Sequence, residues 1–262
     1  MITSTDNKQM KNLMLLNHKA KARKQQGVFV AEGLKMFLEA PSERIEGVYV
    51  SDTFIQKEEN KNYLMHQNYE VVSDRVFLTA CDTLTPQGIL TVVKQKEYTL
   101  SDMFFDNGSG CILILDEIQD PGNLGTMIRT GEGAGITGVI MNQTTVDPYN
   151  PKTIRATMGS IYRVPHLITG NLEDVIGQLK ERKITIFAAH LKGTCNYDEV
   201  DLSHGTGFLI GNEGNGLGEE IVEQADVLIK IPMEGRVESL NAAIAASLLM
   251  YEAKRQRKNK DR

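Results

Sequence analysis

Short apolar runs alternate with helical patterns along most of this 262-residue chain. The apolar runs have the length and composition of buried β-strands. These strand candidates are residues 28–30, 47–50, 89–93, 111–115, 138–141, 184–189, 208–210 and 227–231. The helical patterns between them include residues 33–40, 123–134, 172–182 and 239–254. Such alternation predicts an α/β fold with mainly parallel strand pairing.

A cluster of turn-forming residues interrupts the alternation at residues 99–110. The cluster ends in Asp106-Asn-Gly-Ser-Gly and has no apolar period. A boundary near residue 106 would leave parts of about 105 and about 155 residues, which are ordinary domain sizes. We therefore predict one domain at residues 1–105 and a second at residues 106–262.

The charge of the chain is unevenly distributed. In total, 29 Lys and Arg residues stand against 34 Asp and Glu residues, and the net charge of −5 at first argues against a nucleic-acid partner. Residues 1–30 carry +5 and residues 251–262 carry +4, so the part between them carries −14. Basic ends can attract phosphates in an acidic protein, or they can be solvated tails; the sequence leaves both interpretations open.

The sequence has no pattern typical of a metal site, a disulfide framework or a membrane span. Cys81, Cys111 and Cys195 are far apart and form no CxxC pair, and the histidines show no HxxxH or HExxH spacing. No apolar run approaches the ~20 residues of a membrane helix. The first residues also lack the apolar segment of a signal peptide. We expect a cytoplasmic protein that binds neither a metal nor a membrane.

Two glycine-rich segments could approach phosphates or a ligand. The first, Gly133-Ala-Gly135-Ile-Thr-Gly138, matches GxGxxG, but it closes a helical pattern and precedes a strand. Since a dinucleotide fingerprint must follow a strand and open a helix, this segment argues against a nicotinamide-dependent oxidoreductase. The second, residues 208–218, follows an apolar strand, where glycines let a ligand approach the backbone.

Three loops that each follow a predicted strand carry polar side chains. They are Asn123 and Arg129 after residues 111–115, Glu213 after residues 208–210, and Ser239 and Asn241 after residues 227–231. Taken singly, Asn123 and Ser239 are explained as helix N-caps and Arg129 as a surface charge. Because parallel strands end at one edge of a sheet, we expect the three loops to meet in one crevice.

In order and spacing, these loops resemble the three signature motifs of the SpoU/TrmH family of SPOUT methyltransferases. The matching segments are Asn123-Leu-Gly125-Thr-Met-Ile-Arg129, Leu209-Ile-Gly211-Asn-Glu213-Gly214-Asn-Gly216, and Ile231-Pro232-Met233 through Ser239-Leu240-Asn241. The resemblance covers about residues 110–255. Earlier in the chain, Gly27-Val-Phe-Val-Ala-Glu32-Gly33 and Pro86-Gln-Gly88 resemble the RNA-binding substrate domain that often precedes the catalytic domain in this family.

The resemblance implies an enzyme that methylates the 2′-hydroxyl of an RNA ribose with S-adenosylmethionine as cofactor. It also implies a C-terminal SPOUT α/β domain with a parallel sheet and a deep trefoil knot, a small α/β RNA-binding domain before it, and a homodimer. The added first domain favours ribosomal RNA over tRNA as the partner. The alternative is a catalytically idle RNA-binding or assembly protein on the same scaffold, against which the presence of all expected polar residues argues.

The resemblance also assigns roles to single residues. Arg129 corresponds to the catalytic arginine, which acts across the dimer interface in the family. The other implied catalytic residues are Asn123, Glu213, Ser239 and Asn241, and the implied cofactor contacts are Gly211, Ile231, Met233 and Leu240, joined by Ala189 and His190. A guanidinium is already protonated at neutral pH and is a poor base, so Arg129 is also interpreted as a bidentate phosphate contact that positions the ribose.

The last helical pattern carries an apolar stripe. Leu240, Ile244, Leu248 and Tyr251 follow one another at spacings of four and three residues. Packing in the core or a dimer contact explains this stripe better than a cofactor site. We expect the basic run after it to leave the helix toward solvent or RNA.

Overall fold

The structure is a computed structural model that describes residues 1–105 and 109–260. Contacts divide the chain into two compact units: Met1–Lys96 with Asp147–Tyr162, and Glu97–Val146 with Arg163–Arg262. The predicted boundary at residue 106 itself lies outside the described residues, and the contacts place the division after Lys96. The segment Asp147–Tyr162, which we expected in the second domain, belongs to the first unit.

The helices and strands follow in chain order. Those of residues 1–96 are α1 (Lys8–His18), α2 (Ala20–Gln26), β1 (Val28–Glu32), α3 (Leu34–Glu39), β2 (Ile45–Ser51), α4 (Asp52–Gln56), α5 (Glu58–Tyr63), β3 (Glu70–Val72), α6 (Asp74–Thr79) and β4 (Ile89–Lys94). Those of the later residues are β5 (Cys111–Leu115), α7 (Pro121–Ala134), β6 (Gly138–Asn142), α8 (Pro151–Thr157), β7 (His166–Thr169), α9 (Leu172–Glu181), β8 (Thr185–Ala189), β9 (Cys195–Asn196), β10 (Thr206–Ile210), α10 (Glu219–Glu223), β11 (Val227–Lys230) and α11 (Ala242–Lys260). Short 3₁₀ helices lie at Ser42–Arg44, Leu100–Met103 and Ser160–Tyr162.

The first unit is built on a four-stranded mixed sheet in the order β1-β4-β2-β3. β4 returns between β1 and β2 and runs antiparallel to both, so only β2 and β3 pair in parallel, contrary to the mainly parallel expectation. One hydrophobic cluster joins α1 to the sheet through Met10, Leu13 and Leu16. A second cluster contains Phe37 and Phe54, so both faces of the sheet are covered.

Aromatic stacking and a buried ion pair hold Asp147–Tyr162 within the first unit. Tyr149 stacks on Phe29 with ring centroids 4.8 Å apart, and the Tyr162 hydroxyl donates to the carbonyl of Met36 at 3.0 Å. The guanidinium of Arg23 is only 4% exposed and donates to Asp147 Oδ2 at 2.8 and 2.6 Å. Sequence patterns did not predict these contacts, because they join residues more than a hundred positions apart.

The second unit has a seven-stranded sheet in which every pair is parallel, in the order β7-β6-β5-β10-β8-β11-β9. All five residues of β5 and of β10 are buried, as expected for central strands covered on both faces. The predicted parallel α/β domain is therefore confirmed. The loops after β5, β8, β10 and β11 open at one edge of this sheet because parallel strands share their carboxyl edge.

The glycines of the GxGxxG match lie at the end of α7, the helix that follows β5, and do not form a phosphate-binding loop. Asp120 caps the N-terminus of α7 by accepting from Asn123 N at 2.8 Å, and Pro121 occupies the first turn. Gly135 ends the helix in the left-handed conformation, with φ of 83°. The interpretation of the GxGxxG match as a helix C-terminus is confirmed. The expected N-cap role of Asn123 is wrong, since Asp120 takes it.

The last helix differs from its prediction in two ways. It continues to Lys260, so the basic run is helical as far as the structure describes it. Arg257 donates to the carbonyls of Leu202, Gly110 and His204, and Lys254 donates to that of Gly133. The expectation that this run leaves the helix is therefore wrong for residues up to 260, and residues 261–262 lie outside the described part.

The face of α11 that packs on the unit is also not the predicted one. The buried side chains are the small and apolar ones, at Ala243, Ala246, Leu249, Met250 and Ala253. Three of the four residues of the predicted stripe point outward instead: Ile244 is 50% exposed, Leu248 37% and Tyr251 49%. The fourth, Leu240, lies before the helix begins. Core packing is thus the wrong explanation for the stripe. Within the described residues, no helix is both long and apolar enough to span a membrane.

Arg23→Met should strongly destabilise the first unit. The substitution leaves Asp147 Oδ2 and the carbonyls of Leu16 and Asn17 without the hydrogen bonds that Arg23 donates. We expect a loss of about 3–5 kcal/mol in the free energy of unfolding, measured by urea titration. Lys24→Met, an exposed neighbour on the same helix, is the control and should change it by less than about 0.5 kcal/mol. Equal values for the two variants would contradict the structural role of the Arg23 pair.

Candidate active site

The loops that follow β8, β10 and β11 enclose a cleft of about 770 Å³. This volume lies within the usual range of small-molecule sites. The cleft is lined by all the residues expected to contact a cofactor: Ala189, His190, Gly211, Ile231, Met233 and Leu240. It is also lined by Asn196, which sequence reasoning missed because β9 has only two residues and no recognisable strand pattern.

The loop after β10 closes on itself tightly. A Cβ atom at Gly211 would lie 2.3 Å from the carbonyl carbon of Gly216, so no side chain fits there. The backbones of Asn212 and Gly216 exchange two hydrogen bonds of 2.9 Å, and Gly216 has φ of 73°. The Asn212 side chain accepts from the N–H groups of Gly214 and Asn215. The glycines at 211 and 216 are therefore explained first by the shape of the loop itself.

Glu213 fastens this loop to the start of α7. Its carboxylate accepts hydrogen bonds from Gln119 N at 3.1 Å, Asp120 N at 3.2 Å and Asn123 Nδ2 at 2.9 Å. Burial raises the pKa of Glu213, but the bonds from Asn123 and the two backbone N–H groups outweigh it and hold the pKa below its usual value. Glu213 is thus an ionised anchor near neutral pH, as the orienting role predicted for it requires.

Asn241 ties the third loop to the same cluster. Its Nδ2 donates to Asn123 Oδ1 at 3.0 Å, and its Oδ1 caps α11 by accepting from Ala243 N and Ile244 N. A continuous path of hydrogen bonds therefore runs from Asn241 through Asn123 to Glu213. The three loops meet as the sequence predicted, although Asn241, and not Ser239, is the cap of the last helix.

Arg129 and Ser239 do not join this cluster. Arg129 lies six residues after Asn123 within α7, which turns its side chain about 120° away around the helix axis. It is exposed and makes no hydrogen bond or ion pair with any residue that the structure describes. Ser239 lines the cleft and is exposed, also without a hydrogen-bond partner in the described ranges.

A second polar contact between the loops was not predicted from sequence. Asp116, which directly follows β5 and is only 7% exposed, accepts from Asn142 Nδ2 at 2.6 Å and from Gly218 N at 3.4 Å. Burial raises the pKa of Asp116, with Gly218 opposing the shift. Asn212 Nδ2 adds a bond of 2.9 Å to the carbonyl of Glu117. The available signal was an acidic residue immediately after a fully apolar strand.

Metal-binding side chains do not cluster in the described ranges. No group of three or more His, Cys, Asp and Glu residues there could hold a metal ion. The polar side chains that line the cleft are amides, the Ser239 hydroxyl, the His190 imidazole, the carboxylates of Glu213 and Glu238, and the ammonium groups of Lys192 and Lys230. This set suits hydrogen bonding to an organic ligand.

A parallel α/β unit with a cleft at the carboxyl edge of its sheet defines a small-molecule-binding enzyme scaffold. Family models identify the two parts of the chain. Residues 110–251 match the SpoU rRNA Methylase family, and residues 7–91 match the MRM3-like substrate binding domain. The chain belongs to the SpoU family of RNA methyltransferases, whose members use S-adenosylmethionine.

Individual relatives agree with this assignment. The chain is 31% identical to the 23S rRNA (guanosine(2553)-2′-O)-methyltransferase RlmP of Bacillus subtilis, a match covering 95% of this chain and 97% of the relative. An AdoMet-bound rRNA methyltransferase from Sinorhizobium meliloti is 33% identical, with a TM-score of 0.84 and coverage of 97% of both chains. The SpoU methyltransferase AviRb from Streptomyces viridochromogenes, also solved with AdoMet, shares the fold at 24% identity, with a TM-score of 0.86 and coverage of 96% and 98%.

The stabilising role of Glu213 should appear in the pH dependence of the unfolding free energy when Glu213 is replaced by Gln. Because the pKa of Glu213 is lower in the folded state, its ionisation stabilises the fold above the usual value near 4.5, and this stabilisation disappears as the pH falls through the folded-state pKa. The difference in unfolding free energy between wild type and Glu213→Gln should therefore be constant between about pH 6 and pH 8 and shrink below about pH 4.5. Urea titrations at several pH values measure it; a difference that grows on acidification would contradict the anchor.

Proposed function

We propose that this chain transfers a methyl group from S-adenosylmethionine to the 2′-hydroxyl of a ribose in ribosomal RNA. The hydrogen-bonded path from Asn241 through Asn123 to Glu213 carries this proposal, because it joins all three family motifs beside one cleft. Membership of the SpoU rRNA Methylase family also supports an enzyme over a catalytically idle RNA-binding protein.

The lining of the cleft suits the cofactor. Ile231, Met233 and Leu240 offer apolar surface, and Gly211 also lines the cleft. In the proposal, these residues and His190 hold S-adenosylmethionine. When bound, the cofactor supplies a methyl group already activated on a sulfonium, so the protein needs no metal to activate it.

The remaining task of the protein is to place the ribose hydroxyl and to ease the loss of its proton. Arg129 does this by binding the neighbouring phosphate in a bidentate manner, which fixes the ribose. The proton passes to a phosphate oxygen or to water, since a guanidinium is already protonated at neutral pH. Ser239, exposed at the cleft, and Asn123 orient the ribose by hydrogen bonds.

We also propose a homodimer. Ile244, Leu248 and Tyr251 form an exposed apolar stripe on α11, as expected of a face that a second copy covers. A second copy would also explain Arg129, which has no partner among the described residues of its own chain. In the dimer, Arg129 of one subunit completes the site of the other.

The proposed substrate is ribosomal RNA and not tRNA. The match of residues 7–91 to a substrate-binding domain supports a separate RNA contact, and the Bacillus subtilis relative is a 23S rRNA methyltransferase. We also propose that the reaction takes place in the cytoplasm, in keeping with a ribosomal RNA substrate. The predicted trefoil knot is also part of the proposal. The chain passes from β8 to β10 and then to β11, which lies on the other side of β8. A deep knot would require the last segment to thread through these connections.

Arg129→Ala should abolish methyl transfer while leaving cofactor binding intact. With tritiated S-adenosylmethionine and unmodified ribosomal RNA, we expect the turnover to fall at least about 100-fold. The dissociation constant of the cofactor, measured by calorimetry, should change by less than about twofold, since Arg129 does not line the cleft. The control is Arg182→Ala, an exposed arginine of the same unit that stacks on Phe104 and does not line the cleft.

The RNA itself is tested in the same assay. Incorporation into ribosomal RNA without incorporation into tRNA supports the proposed substrate, and the reverse result contradicts it. Retained turnover in Arg129→Ala would contradict the role of this arginine.

Leu248→Glu should break the proposed dimer. A carboxylate in the middle of the stripe would be buried without a partner, which strongly disfavours association. Sedimentation velocity should show wild type as a dimer and the variant as a folded monomer. Ile168→Glu, a substitution at another exposed apolar residue of the same unit, should leave the dimer intact. A wild-type monomer would contradict the proposal.

A further inference from the structure

The first unit contains a pocket that the reaction described above does not use. It has a volume of about 290 Å³ and lies between α1, the end of α2 and the sheet. Its floor is apolar, formed by the buried residues Leu13, Val28 and Val92. Its walls are polar, so the pocket is unlike a plain gap in packing.

Three amide side chains form the polar wall. Asn12 of α1 and Gln26 of α2 exchange two hydrogen bonds, of 3.0 and 2.9 Å, which fix both side chains. Each amide has two N–H groups and two acceptor positions, so each retains a donor and an acceptor after this exchange. Gln9 also lines the pocket, as does Tyr49 of β2. The wall therefore presents donors and acceptors side by side at fixed positions.

The charge around the pocket favours a polyanion. The ammonium groups of Lys8, Lys19, Lys21 and Lys24 on α1 and α2 are exposed and make no ion pair within the described ranges. The carboxylate at the pocket, Glu46, is neutralised by Lys94 at 2.6 Å. The two helices that supply the amides of the pocket therefore also carry four exposed lysines, whereas the guanidinium of Arg23 is buried against Asp147.

We propose that this pocket binds an unpaired nucleobase of the RNA substrate, a role that depends on the proposed function. An extruded base would lie on the apolar floor and hydrogen-bond its edge to the amides, as proteins commonly read single-stranded RNA. The lysines of α1 and α2 would bind the adjoining phosphates. Base pairing hides the edge and stacking hides the faces, so the pocket selects unpaired nucleotides.

Two substitutions test the pocket, and a neighbouring residue gives the control. Gly47→Val fills the pocket: Gly47 has an ordinary φ, and a Cβ there meets only the Tyr49 ring, at 3.4 Å. Gln26→Leu removes one amide from an exposed position. Gln25→Leu, also exposed on α2 but outside the pocket lining, is the matched control.

The measurement is fluorescence anisotropy with labelled 12-nucleotide RNAs, single-stranded or in a duplex, added to the full-length protein. Both pocket variants should lose between about 5-fold and 100-fold in affinity for the single strands and nothing for the duplex, while the Gln25→Leu variant should bind as wild type does. Wild-type affinity of both pocket variants, or equal losses for single strand and duplex, would overturn the proposal. If Gly47→Val fails to fold, which a melting curve would show, Gln26→Leu decides alone.

The methyl-transfer assay separates this proposal from the function on which it depends. If wild type methylates ribosomal RNA and the pocket variants keep full single-strand affinity, the pocket proposal fails and the function stands. If wild type transfers no methyl group while both pocket variants lose single-strand affinity, the function fails and the pocket stands.

Discussion

The carboxylate of Glu213 is the interaction on which the arrangement of the site depends. The cleft is built from loops, and loops without regular backbone pairing need other bonds to hold their shape. Glu213 accepts two backbone N–H groups at the start of α7 and the amide of Asn123 at once, so the loop after β10 cannot move without breaking three charge-assisted bonds. The third loop is then fixed through Asn241, which bonds Asn123.

This arrangement uses side chains that could otherwise serve chemistry. The Asn123 amide is shared between Glu213 and Asn241, and Asn241 also caps α11. A structural role for Asn123 and Asn241 therefore does not exclude a functional one. A residue that caps a helix beside a cleft also determines where that helix begins and which loop atoms face the ligand. Asp116, which directly follows β5, also helps to hold the loop after β10, because it accepts a hydrogen bond from Gly218 N at the end of that loop.

The parts that sequence could predict are those decided by local patterns. β5 was found with its bounds intact, because five consecutive buried residues leave a plain apolar run. β7 and β9 were missed because His166–Thr169 and Cys195–Asn196 are short, partly polar strands near the sheet edge. The site loops were found by their order, but the cap of α7 was misplaced by three residues. The placement of Asp147–Tyr162 in the first unit depends on Arg23 and Phe29, which no local pattern links to it.

The apolar stripe of α11 shows how a correct pattern can lead to a wrong surface. Spacings of four and three predict one face of a helix, but they do not say what covers that face. The helix packs on its own unit with small residues such as Ala246 and Ala253, which allow close approach, and leaves Ile244, Leu248 and Tyr251 exposed. Leu249 and Met250 are buried on the same side as these alanines, so position around the helix, and not size, decides which apolar side chains stay exposed. Apolar area left in this way is stabilising only when another surface covers it, so the proposed second copy of the chain would account both for the stripe and for Arg129, which has no partner among the described residues.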